Sequence, residues 1–110
     1  AGVRLALSTD MPSAHHNPFW GLYAAVTRKG MHGHCLGEEE CVSIDEALRA
    51  MTEGGAYMTF EERDKGTLEP GKLADLVLLD RNLAGIHTEQ LRDITVRMTI
   101  IDGRIVYQAQ

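Results

Sequence analysis

The residues best suited to chemistry gather near the start of the chain. Asp10 closes the polar triplet Ser8-Thr9-Asp10 directly after the apolar segment Val3-Arg4-Leu5-Ala6-Leu7, and His15 and His16 follow within the next loop. A carboxylate at the tip of a strand can ligate a divalent metal through oxygen, or accept a proton as water attacks. An Asp two residues before Pro12 is also an ordinary turn former, because its side chain bonds nearby backbone. The His15-His16 pair reads either as a substrate contact or as two solvated loop residues.

His32, His34, Cys35 and Cys41 offer four further nitrogen and sulfur donors. Structural zinc sites use regularly spaced pairs, often C-x-x-C, and that spacing is absent, so this stretch reads as a solvated loop. Two cysteines are too few for a disulfide framework and fit a reducing compartment as well as a single bridge. Arg28 could neutralise an anionic group, although a cation at a helix C-terminus has a sufficient structural reason. Trp20 and Tyr23 stand at helical spacing and read as core. Glu38-Glu39-Glu40 reads as a solvated acidic tip.

The elements that must position these groups follow from periodicity. Residues 3–8 read as a buried strand, and Pro12, Ser13, Asn17 and Pro18 mark a loop. Apolar residues at 19, 22, 23 and 26, with Arg28 and Lys29 before Gly30, predict a helix over residues 18–29. Residues 30–42 form a glycine-rich excursion. Ser43 with Glu46 is a capping box opening a second helix to about residue 52 or 53, and residues 56–60 restart as a short helix after Gly54-Gly55. The segment KGTLEPGKLADLVLLD, residues 65–80, reads as two strands around a type II turn at Glu69-Pro70-Gly71-Lys72, its Leu76–Leu79 run covered on both faces. Residues 81–90 read as a polar connection. Strands then follow over residues 94–101 and 104–107, joined by Asp102-Gly103.

Composition bounds the rest. With 110 residues, 44% hydrophobic and 25% charged, the chain has the makings of one globular unit with a modest core. A net charge of −5 opposes polyanion binding and provides no basic stripe, which excludes a nucleic-acid partner. No apolar run approaches the roughly 20 residues that span a bilayer, so a soluble, cytoplasmic protein without a membrane partner is expected. The sequence enters a strand almost at once and lacks an initiator Met, which reads as a fragment.

Taken in order, STD at 8–10, NPFWGLYAAVTRKG at 17–30, SIDEALRAMTEGGAYMTFEE at 43–62, KGTLEPGKLADLVLLD at 65–80 and VRMTIIDGRIVY at 96–107 resemble the amidohydrolase family. They look most like the branch called amidohydrolase family 3, of the exoenzyme-regulatory-protein type. The resemblance implies the C-terminal end of a longer enzyme. Residues 1–62 would supply the last strand and following helices of a (β/α)8 barrel, and residues 63–110 half of a small β-sandwich, an α+β fragment overall. Asp10 would then lie at the C-terminal end of a barrel strand, facing the active site. In the family, that Asp binds the metal or acts as base on metal-bound water. The implied reaction is hydrolysis of C–N or ester bonds in a small-molecule substrate, with a divalent metal, zinc, as cofactor. The other metal ligands would lie outside this chain, so it would hold no metal and have no activity alone. His15 and His16 would sit at the barrel mouth. His32-Gly33-His34 follows a helix rather than a strand and does not match the family's metal-binding pair. The alternative is a free-standing, non-catalytic module that forms a homo-oligomer or a domain-swapped assembly through exposed strand edges.

Overall fold

The computed structural model describes residues 2–110. Three helices precede a three-stranded antiparallel sheet, which makes the architecture α+β. Helix α1, Pro18–Thr27, starts where Asn17 Oδ1 accepts the Phe19 N–H and proline occupies the first turn, where its missing N–H costs nothing. It ends two residues earlier than expected. Arg28, rather than Gly30, adopts the left-handed conformation (φ 54°) and donates its N–H to the Ala24 carbonyl.

Helix α2, Ile44–Met51, carries the complete capping box: Ser43 Oγ accepts the Glu46 N–H at 3.2 Å, and the Glu46 carboxylate accepts the Ser43 N–H at 2.8 Å. Such a cap contributes about 1 kcal/mol. Helix α3, Glu53–Met58, begins at Glu53 and runs through Gly54 and Gly55, so the pair does not hold the restart back to residue 56. A close approach explains Gly54, since a Cβ there would collide with the Leu5 carbonyl oxygen.

The expected strand over residues 3–8 is not formed. The segment makes a single backbone bond to the helical layer, from Leu7 N–H to the Ala50 carbonyl at 3.0 Å, and takes no strand partner among the described residues. Its apolar pattern permits a strand, but a strand needs a neighbouring ladder.

The type II turn stands as expected, with Gly71 at φ 93° and Lys72 N–H bonded to the Glu69 carbonyl at 3.2 Å. Only one strand flanks it, β1 at Leu76–Leu79, because residues 65–73 are bends and irregular backbone around the turn itself. Nor is β1 covered on both faces: Val77 and Leu78 are 52% and 54% exposed. Strands β2, Val96–Ile101, and β3, Arg104–Gln108, complete the order β1-β2-β3. Val77 faces Thr99, and Thr99 faces Tyr107. Asp102 and Gly103 both take positive φ, 49° and 74°, as a two-residue type I′ hairpin requires.

The two aspartates that bound the β1 run tie it to its neighbours. Asp75 Oδ1 accepts the Asp102 N–H at 2.8 Å, and Asp80 Oδ1 accepts the Thr95 N–H at 3.0 Å. The hydrogen bonds from Arg81 and then Thr95 hold the Asp80 carboxyl down at about 2. A carboxylate lowered on folding stabilises the fold above its unfolded value of about 3.9 and loses that contribution as pH falls through its folded value. Asp80→Asn should therefore lower the thermal midpoint near neutral pH, and the difference from the parent should shrink below about pH 4 and vanish only as pH falls below about 2. Circular dichroism melts across that range check this, and a difference independent of pH contradicts it.

The core lies between the helices and residues 91–94, just past the polar connection expected over residues 81–90 and at the start of the strand expected from residue 94. Phe19, Leu22 and Tyr23 of α1 and Ala47 of α2 close on Leu91 and Ile94. Leu91 belongs to a 3₁₀ helix, Thr88–Asp93, and is 0% exposed, as is Leu22. Leu79 and Val96 pack against the same cluster and link the sheet to it.

Candidate active site

Asp10 sits at the end of the extended N-terminal segment with φ 51°. Asp tolerates this left-handed conformation better than most residues, because its short polar side chain interacts locally. The surrounding backbone fixes it: Ser8 Oγ accepts the Asp10 N–H at 3.2 Å, and the Asp10 carbonyl accepts the N–H groups of Ser13 at 2.8 Å and Ala14 at 3.3 Å. Its carboxylate is exposed and accepts no hydrogen bond among the described residues.

The loop carries His15 back toward α1. Its Nδ1 accepts the Asn17 N–H at 3.1 Å, next to the bond by which Asn17 caps the helix. One side of the imidazole stacks on His16, with centroids 4.7 Å apart and planes at 19°, and Trp20 lies 5.7 Å away, tilted by 37°. Trp20 meets Tyr23 edge to face, and the Arg92 guanidinium lies over both rings at 5.8 and 5.3 Å. Glu89 secures this assembly: it accepts from Tyr23 Oη at 3.1 Å and Lys29 Nζ at 2.8 Å, and pairs with Arg92 at 3.4 Å. Those hydrogen bonds, Lys29's first, hold the Glu89 carboxyl below its usual range, and the same partner raises Lys29.

Asp10 and His15 thereby reach one cavity of about 400 Å³, whose wall includes Trp20, Ala24, Arg28 and Lys29. That volume is in the range of small-molecule sites. His16 stacks behind His15 and does not line it. Trp20 was expected in the core. It packs against the core cluster and also forms the cavity wall. The spacing of Trp20 and Ala24, one turn apart on α1, followed four residues on by the C-cap Arg28, is the sequence signal for this wall. A second, more open cavity of about 860 Å³ lies between residues 3–7 and α2–α3, where the Arg4 guanidinium sits 4.3 Å from the Tyr57 ring centroid.

His32 and His34 are exposed on a turn closed by Gly30 N–H to the His34 carbonyl at 3.0 Å, and neither lines the Asp10 cavity. Cys35 and Cys41 are exposed free thiols. Among the described residues no three His, Cys, Asp or Glu side chains stand together as a metal-holding group. What the chain offers a metal at this site is therefore one carboxylate oxygen donor, from Asp10, of a kind that suits a hard or borderline divalent ion.

Comparison with known proteins supplies the context for this arrangement. Over 108 residues the chain is 37% identical to N-substituted formamide deformylase of Arthrobacter pascens, covering 98% of this chain and 20% of that one. It is 29% identical over 119 residues to 5-methylthioadenosine/S-adenosylhomocysteine deaminase of Caldanaerobacter subterraneus subsp. tengcongensis, covering 97% of this chain and 27% of the deaminase. Its fold is similar to that of E. coli guanine deaminase, with a TM-score of 0.68 at 24% identity over 98% of this chain and 28% of the other. The chain thus spans about a fifth of the deformylase's length. Residues 1–107 match the model of the amidohydrolase family, and the chain belongs to that family.

Proposed function

We propose that these residues form the C-terminal part of a cytoplasmic amidohydrolase that cleaves C–N bonds, amide or cyclic amide, in a small molecule. Ester bonds are open to the same chemistry. The observation that carries this is Asp10: its backbone is pinned by three hydrogen bonds while its carboxylate is left unengaged beside a cavity. Residues 1–62 are read as the last strand and following helices of a (β/α)8 barrel, and residues 63–110 as half of a β-sandwich. The relatives support the chemistry, since one is named a deformylase and another a deaminase.

When bound, a divalent metal, zinc in this reading, supplies Lewis acidity toward the attacking water and the scissile group. Asp10 provides one oxygen donor toward it or takes the proton from the attacking water, and the same carboxyl returns that proton to the leaving nitrogen. One carboxylate cannot hold a catalytic metal by itself, so the 110 residues alone are expected to be inactive.

The test is turnover by the full-length enzyme containing these residues, offered N-substituted formamides and aminopurines, with formate and ammonia as readouts. Chelation should abolish release and Zn²⁺ should restore it; turnover indifferent to chelation contradicts the proposal. A second reading is favoured by the sheet, where Val77, Leu78, Ile101, Ile105, Val106 and Tyr107 are each more than half exposed. On that reading the chain is a non-catalytic module that forms a homo-oligomer or domain-swapped assembly through its strand edges. It predicts no turnover under either metal condition.

A further inference from the structure

His15 occupies a position that determines its tautomer. Its Nδ1 accepts a backbone N–H, that of Asn17 at 3.1 Å, so the lone pair lies on Nδ1 and the proton of the neutral ring on Nε2. The ring is held by its neighbours as well as by this bond, with His16 stacked at 4.7 Å and Trp20 at 5.7 Å. Its Nε2 makes no hydrogen bond among the described residues and is not a buried, unpartnered atom, so it is accessible. The residue lines the same cavity as the Asp10 carboxylate. Lys29 on that wall is engaged with Glu89 at 2.8 Å, and Arg28 Nε with the Leu36 carbonyl at 3.0 Å.

The geometry assigns to His15 the role of a fixed, neutral Nε2–H donor that binds a substrate's amide-type carbonyl oxygen and so sets specificity beside Asp10. This rests on the reading that the Asp10 cavity is the reaction site. A neutral N–H donor is matched by an uncharged carbonyl oxygen, an acceptor that needs no counter-charge at the site. Formamides and cyclic amides carry such an oxygen, and a site built to hydrogen-bond it discriminates against analogues lacking it. In this role the ring binds through its Nε2–H and transfers no proton.

The experiment uses the 110-residue chain labelled with ¹⁵N at histidine, and N-benzylformamide as a neutral amide probe. Long-range ¹H–¹⁵N spectra should show His15 as a single Nε2–H tautomer, and the probe should shift its side-chain signals saturably. His15→Asn keeps an acceptor for the Asn17 N–H but lacks the distal donor, and should weaken probe binding about five- to tenfold. His15→Gln, which restores an N–H at the distal position, should recover most of that loss. An unchanged Phe19 amide signal in both variants establishes that the helix cap, the Phe19 N–H to Asn17 Oδ1 bond, is intact. His34→Asn, on an exposed turn that does not line the cavity, should leave probe binding within about twofold. Failure of Asp10 as the base would appear as retained turnover by the full-length enzyme carrying Asp10→Asn and would leave this binding measurement untouched. An Nδ1–H or averaged tautomer, no saturable shift with the parent chain, unweakened binding by His15→Asn, or equal loss in both His15 variants overturns the inference.

Discussion

Asp10→Asn is expected to lower the kcat of the full-length enzyme by about 10²–10⁴-fold, the usual contribution of a positioned general base. Asparagine preserves size and tolerates the left-handed backbone at φ 51°, so the bonds from Ser13 and Ala14 to the residue 10 carbonyl should persist. What it removes is the proton-accepting carboxylate and the charge available to a metal. KM should change little if Asp10 acts only in the transition state, because an interaction absent from the ground state lowers kcat and kcat/KM together. Steady-state kinetics of the purified variant make the measurement, with metal content read in parallel. A variant retaining kcat within a few-fold, with metal bound, would show that Asp10 is the turn former its sequence context also permits.

Leu91→Ala should cost about 2–5 kcal/mol, the range for deleting a buried leucine side chain. Leu91 is 0% exposed and packs among Phe19, Leu22, Tyr23 and Ile94. Because Leu91 is the one residue the 3₁₀ helix buries in this small core, the substitution leaves a void as well as losing transfer free energy. Single domains hold only about 5–15 kcal/mol in total, so the loss is a large fraction of the fold's stability. The urea midpoint should fall with the slope unchanged. Leu68→Ala serves as the contrast: Leu68 is 78% exposed, and the expected change is within about 0.5 kcal/mol. Equal effects at the two positions would contradict the assignment of the core.

The parts of this fold legible in the sequence are those fixed by short-range chemistry. Ser43 with Glu46, Pro70-Gly71 and Asp102-Gly103 each specify a cap or turn through their own side chains or φ preferences, and each stands where expected; Asn17, read as a loop residue, also caps α1. Other features depend on distant partners. Thr88–Asp93 has one apolar residue, Leu91, and no period, and only the face of α1 turns it into core. Residues 3–8 have a strand's pattern, yet hydrogen-bonded pairing is a property of two segments. The candidate site divides similarly. Asp10 and His15 were visible as residue types in one loop, whereas their convergence on a single cavity depends on Trp20 and the helix face behind it.

The pairing of α1 with the 3₁₀ helix also has a consequence in time. Leu22 lies early in this sequence and Leu91 late, and among the described residues only Ala47 of the buried cluster they share lies between them. On a ribosome adding about 5–20 residues per second, α1 waits several seconds for the segment that buries it. Throughout that interval Phe19, Leu22 and Tyr23 remain available to other hydrophobic surfaces. The loop-closure entropy of the long intervening segment must be met before its contacts give any return, which makes this a non-local and comparatively slow step. Nascent chains ending before Leu91 should therefore be the ones that chaperones retain.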